Sequence, residues 1–190
     1  MNSPGDTGNA SRAPAEEQEI CLECGICCDG TLFSSAWLKA DERGRLPQWM
    51  EENSFSQNGE ELFLLPCGYF SGRCTIYERK KAYVCSAFRC RVLKDLSEGR
   101  ITRKAALVTV RDAVRTRDEI SALWGMITGH TGRIHFRKIL AEIGRIQGEV
   151  PGYLDSPAEF DLLVARCNIF AVLLIKLFRE EKDFDRFVMK

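Results

Sequence analysis

The chain has 190 residues, 45% of them hydrophobic and 28% charged, with 27 basic residues balanced by 27 acidic ones. That length suits one domain with a proper core and is short for two. The balanced charge gives no overall reason to expect nucleic acid or an anionic membrane as a partner.

Residues 1–19 are rich in Ser, Pro, Gly, Ala and Glu and lack an apolar run, so they read as a disordered tail and not as a secretory signal. Cys21 to Gly30 is too dense in Cys and Gly for a regular element and reads as a loop wrapped on something. Thr31-Leu32-Phe33 suits a short strand. Ser34 or Ser35 would cap a short helix from Ala36 to Arg43, ended by Gly44 and Pro47. Asn53 to Gly59 reads as a polar loop, and Glu61 to Leu65 as an extended apolar segment stopped by Pro66. Pro66 to Cys74 reads as a hairpin turning at Ser71-Gly72, with Cys67 and Cys74 on its arms.

From Ser97 the chain reads helical to its end. Thr102 to Gly129 carries a helical stripe that includes Val108, Ala113, Ile120, Leu123 and Trp124. A capping box at Thr116-Arg117-Asp118-Glu119 would divide it into two helices. Arg133 to Gln147 is a second amphipathic helix, stopped at Gly148 with Pro151 beyond. Ser156-Pro157-Ala158-Glu159 opens a third, running to about Arg179. It is apolar nearly all round between Ile169 and Phe178, which marks it as the central core helix. The longest apolar run, Ile169 to Ile175, is far below the roughly 20 residues a membrane span needs. The expectation is a soluble cytoplasmic protein.

The expected fold is α+β: a small cysteine-rich, metal-stabilised region with short strands over residues 20–96, then a mostly helical half over 97–190 packed on it. Loop-rich regions of that size bury too little surface to hold alone, so metal ligation would supply part of the folding free energy.

Nine cysteines in a reducing cytosol point to metal ligation or redox chemistry instead of a disulfide framework. Eight form an ordered series: Cys21, Cys24, Cys27 and Cys28, then Cys67, Cys74, Cys85 and Cys90. The first three repeat the C-x2-C-x2-C spacing by which bacterial ferredoxins hold three corners of a 4Fe–4S cluster. Ligation by sulfur alone favours zinc, iron–sulfur or cuprous copper. Adjacent side chains in an extended segment point apart, so Cys27 and Cys28 would serve two sites, or one of them is spare. Eight thiolates make two four-sulfur sites, although spacing does not say which cysteines pair.

The run Cys21-x2-Cys24-x2-Cys27-Cys28, then Pro66-Cys67, Cys74-Thr75-Ile76-Tyr77-Glu78 and Cys85-x2-Phe88-x-Cys90, resembles a bacterial and archaeal family described as zinc- or iron-chelating, with the CxxCxxCC signature. The resemblance covers Cys21 to Cys90. It implies that all eight cysteines chelate, and it brings a link to flagellin lysine methylases. The family's usual Tyr-x-x-Arg-Pro-x-x-Cys is here one residue longer and lacks the proline before Cys85.

Other residues compete for a role. Cys24-Gly25-Ile26-Cys27 also resembles a thioredoxin-type pair, without the strand before it and the helix after it that this motif needs. Arg79 to Arg117 holds twelve basic residues against three acidic ones. Such a run reads first as a solvated helix face, then as counter-charge to metal-bound thiolates, and last as a surface for an acidic partner. Nucleic acid is disfavoured, because only Tyr83 and Phe88 stand near for stacking. His130 and His135 read as surface or capping groups, and Cys167 as a core residue. No phosphate loop, HExxH or nucleophile elbow is visible, nor any loop for S-adenosylmethionine. The expected function is a metal-binding protein carrying zinc, an iron–sulfur cluster or both, with a redox or scaffold role and a protein partner. The alternatives are a protein-modifying enzyme, by resemblance to the methylases, and a zinc-stabilised module for an acidic partner.

Overall fold

A computed structural model describes residues 14–132, 134–149 and 157–179. Its elements are α1 (Ala15–Cys24), β1 (Ser35–Trp37), α2 (Gln48–Glu52), β2 (Ser54–Gln57), β3 (Glu60–Leu64), α3 (Val84–Ala87), α4 (Arg91–Ser97), α5 (Arg103–Thr128), α6 (Phe136–Glu149) and α7 (Ala158–Phe178). The architecture is α+β, with one three-stranded antiparallel sheet in the order β1-β3-β2.

α5 is the frame. Thr102 caps it, its hydroxyl accepting from Ala105 N at 3.2 Å, and Gly129 ends it with a left-handed φ of 69°. Its 26 residues span about 39 Å without the break expected at Thr116. The Thr116 hydroxyl donates to the Asp112 carbonyl within the helix at 2.9 Å, and Glu119 pairs with Arg115 and Arg166, so neither end of the capping box acts as a cap. The buried face, with Ala106, Val110, Ile120 and Trp124, packs against α1, α4, α6 and α7.

α1 replaces the expected loop at Cys21 and the last residues of the expected tail; residues 1–13 lie outside the described residues. A ten-residue helix is marginal alone. This one is held by Ile20, 1% exposed in the helical core, and by carboxylates laid along the basic run. Glu23 takes a two-pronged contact from Arg111 at 2.7 and 3.0 Å, Glu19 bonds Arg103, and Arg89 Nε stands 2.7 Å from Glu17. The two outer pairs are exposed, so solvent screens them and Ile20 is the firmer hold.

A second, smaller core lies under the sheet, around Leu38, Met50, Phe63, Ile76, Ala82 and Val84. The strand expected at Thr31–Phe33 lies further on, at Ser35–Trp37, and the helix expected over Ala36–Arg43 does not form. Ala36 instead pairs with Phe63, Leu38 N donates to the Glu61 carbonyl at 2.7 Å, and the Glu42 carboxylate accepts from Lys39 N and Tyr83 N. Cross-strand pairing over a buried Phe63 outweighs a local helical preference. The expected polar loop at Asn53–Gly59 contains β2, which turns into β3 through Asn58 (φ 53°) and Gly59 (φ 79°). Two positive φ angles make this the two-residue turn that Asn-Gly favours.

Packing divides the chain differently from composition, because α1 and α4 belong to the helical core. Ser156 and Pro151, on which two helix boundaries were expected to rest, lie outside the described residues. α7 corrects one more expectation: its inner face is buried, with Phe170 edge-on to Phe136 at 4.9 Å, but its outer apolar face is exposed. No helix of the described residues is long and apolar enough to cross a membrane.

Candidate metal centre

The octet Cys21–Cys28 sits where the two cores meet. Cys21 and Cys24 occupy the last turn of α1. Gly25 ends that helix in the left-handed region, φ 62°, with its N–H on the Cys21 carbonyl. The chain then winds tightly: Cys28 N and Asp29 N donate to the Gly25 carbonyl at 2.9 and 3.0 Å. A backbone bond from Cys67 N to the Cys28 carbonyl, 2.8 Å, ties this turn to the Pro66–Cys74 segment. There the expected hairpin is reduced to a tight loop, closed by a lone bridge between Phe70 and Cys74 and turning through Gly72. Cys85 lies on α3, and Cys90 immediately precedes α4.

All nine cysteines are free thiols. Their electrostatic neighbourhoods divide eight of them into two groups. Cys21, Cys24 and Cys27 each feel Cys90 most strongly among the thiols, and Cys24 and Cys27 also feel others of the same group. Cys28 feels Cys85, Cys67 and Cys74, Cys85 feels Cys67 and Cys74, and Cys67 feels Cys74. Two couplings cross between the groups: Cys27 feels Cys28 after Cys90 and Cys24, and Cys28 feels Cys21 after Cys85, Cys67 and Cys74. The grouping follows the cores: Cys24, Cys27 and Cys90 pack with the helical core, Cys67 and Cys74 with the sheet core. Among the described residues no group of three or more Cys, His, Asp or Glu side chains is arranged as a metal site, so the thiols are neighbours and not a finished coordination sphere.

Burial is the leading cause that raises these thiols, to about 12 for Cys21 and Cys85 and well above the ordinary 9.0 for Cys27 and Cys28. Cys21 and Cys85 keep an exposed edge in otherwise crowded surroundings. Opposing the rise, backbone N–H groups point at sulfur: Ile26 at Cys24, Tyr69 at Cys67, Val92 and Leu93 at Cys90. Amides two residues beyond a cysteine are the arrangement that stabilises metal-bound thiolate. From the basic run, Arg89 and Lys81 favour the Cys21 thiolate and Lys81 that of Cys85.

One buried ion pair braces the octet. Asp29, 5% exposed, accepts from Thr31 N at 2.8 Å and pairs with Arg117 of α5, which also bonds Asp118 at 2.7 Å. Nothing local in the sequence marks it, since its members are 88 residues apart. His130 is exposed, His135 is half-buried, and Cys167 is buried in the helical core. A groove of about 420 Å³ lies beside Val84–Lys94, lined by Phe33, Trp37, Phe88, Arg89, Arg91 and Arg179 among others. In comparisons with known proteins, no family model, curated protein or solved structure matches the chain.

Proposed function

We propose that the chain is a cytoplasmic metal-binding protein with two four-thiol centres, one on Cys21, Cys24, Cys27 and Cys90, the other on Cys28, Cys67, Cys74 and Cys85. The observation that carries this reading is the separation of eight thiols into two groups, each set against its own core. The donors are all sulfur, which suits zinc or a 4Fe–4S cluster. Bound zinc would close the fold as a scaffold, whereas a cluster would supply one-electron chemistry at the same sulfurs. Either would contribute folding free energy, because the thiols must be drawn together to bind. The resemblance to the CxxCxxCC family supports the same eight donors.

Anaerobic purification with elemental analysis and a visible spectrum tests the reading. About two equivalents of zinc in a colourless protein, or iron with absorption near about 400 nm, is the expected result. Less than about one equivalent of zinc, iron or copper overturns it.

The groove between Phe88 and Trp37 favours a second reading, a protein-modifying enzyme of the kind the methylase resemblance implies, since it runs beside the segment that carries both Cys85 and Cys90. Methylation of a lysine-bearing peptide by the metal-loaded protein with S-adenosylmethionine supplied as methyl donor, lost in Phe88→Ala, is the outcome that would establish it.

A further inference from the structure

The outer edge of β1 is unused. In the β1–β3 ladder, Leu65 N donates to the Ser34 carbonyl at 3.0 Å and Leu38 N to the Glu61 carbonyl at 2.7 Å, with Ala36 paired to Phe63 between them. Bonding alternates along an antiparallel strand, so the amides and carbonyls of Ser35 and Trp37 face away from β3. Among the described residues nothing bonds these outward groups. At the next outward amide, Lys39 N, the chain supplies a carboxylate of its own: Glu42 accepts there at 2.8 Å and also from Tyr83 N.

α3 stands across from this edge, and the groove lies between. Phe88 meets Phe33 edge-on at 5.2 Å at one end, Tyr83 meets Trp37 at 6.0 Å at the other, and Val84 and Ala87 line the space between. Every charged residue that lines it is a cation: Arg89, Arg91, Lys94 and Arg179. Arg89 pairs with Glu17, and Arg91 with Asp95, which Arg100 holds more closely; neither carboxylate lines the groove. An open strand edge calls for a polypeptide, because an extended peptide backbone offers donors and acceptors at the strand's own spacing. The cations select an acidic one. A second copy of this edge would set the same four cations against each other, and a nucleic acid would satisfy the charges but not the ladder. We propose that the groove between β1 and α3 binds an extended acidic segment of a partner protein, which adds to the sheet as a strand beside β1 while its carboxylates meet Arg91 and Lys94. This goes beyond both readings of function, since it needs no chemistry in the groove and does not depend on which metal the thiols hold.

Fluorescence anisotropy of a labelled synthetic peptide alternating valine and aspartate, titrated with the purified full chain, tests this. Saturable binding that weakens as salt is raised is the expected result. The same peptide N-methylated throughout its backbone should not bind, nor should one with lysine in place of aspartate. Ser35→Pro removes an outward donor without touching the bonds to β3, and should weaken binding at least about tenfold with the circular dichroism signal unchanged. Arg91→Glu combined with Lys94→Glu should weaken it by about as much. No binding at low salt overturns the proposal, as does binding by the N-methylated peptide. Equal binding of oligothymidylate overturns it in favour of a nucleic acid, and a dimer of the chain that the peptide does not displace overturns it in favour of a second copy.

Discussion

The Phe70 ring lies where a side chain on Gly25 would have to stand: a β-carbon there would be 2.3 Å from Phe70 Cε2 and 2.4 Å from Cζ. Gly25 therefore serves twice, taking the left-handed φ that ends α1 and letting the cysteine loop of the sheet region close over the octet. Gly25→Ala should cost about 1–2 kcal/mol for the backbone alone, and more for swinging the ring aside. Thermal denaturation checks it. Phe70→Ala in the same chain should recover only the steric part, leaving the backbone cost.

Asp29 and Arg117 form the one tertiary ion pair among those described in which both side chains are nearly buried, at 6% and 11% exposure. Burial works against the Arg117 charge, and Asp29 with Asp118 outweighs it. Asp29→Ala should destabilise by about 1–3 kcal/mol, because Arg117 loses its buried partner while keeping Asp118. The double variant Asp29→Ala, Arg117→Met should lose much less. Urea unfolding of the four proteins gives the coupling directly.

Under the two-centre proposal, Cys90→Ser and Cys67→Ser should each halve the metal content, and together abolish it. Because burial raises the Cys21, Cys27 and Cys28 thiols, these carry protons at neutral pH, and metal must displace them. Binding should therefore tighten as pH rises and release protons into a weakly buffered solution. A potentiometric zinc titration followed by elemental analysis reads both effects.

His135 is held below its ordinary 6.5, first by burial, then by Lys138 and Arg137, with Asp29 opposing. Its neutral form is favoured in the fold, so the unfolded chain binds the extra proton first. Stability contributed here is present above about pH 6.5 and is lost as pH falls toward the lower folded value. A proton NMR titration should place the His135 midpoint under 6.5, and His135→Gln should flatten the slope of stability in that window.

Several elements were legible without the fold. Val108 to Trp124 and Phe160 to Phe178 declare helices through a period carried by near neighbours, and both stretches are helical, the first without the division expected at Thr116. The extended segment before Pro66 is likewise β3. Asn58-Gly59 also carried a readable hairpin signal, hidden because the polar residues around it look like a loop. α1 was not legible, since what holds it, the helical core around Ile20 and the partners Arg89, Arg103 and Arg111, comes from far along the chain.

Sequence by itself determined the candidate donors: eight thiols in ordered spacing, with Cys27 beside Cys28 so that one turn could face two ways. It also settled that the second half is helical, because amphipathic periods and caps act over a few residues. Tertiary structure alone decided which thiols are neighbours, bringing Cys90 to the first three and Cys67, Cys74 and Cys85 to Cys28. It alone decided which half of α7 is buried. Both outcomes depend on contacts between residues tens of positions apart, and a local pattern that is apolar on two faces, or cysteine-rich at both ends, is compatible with more than one such arrangement.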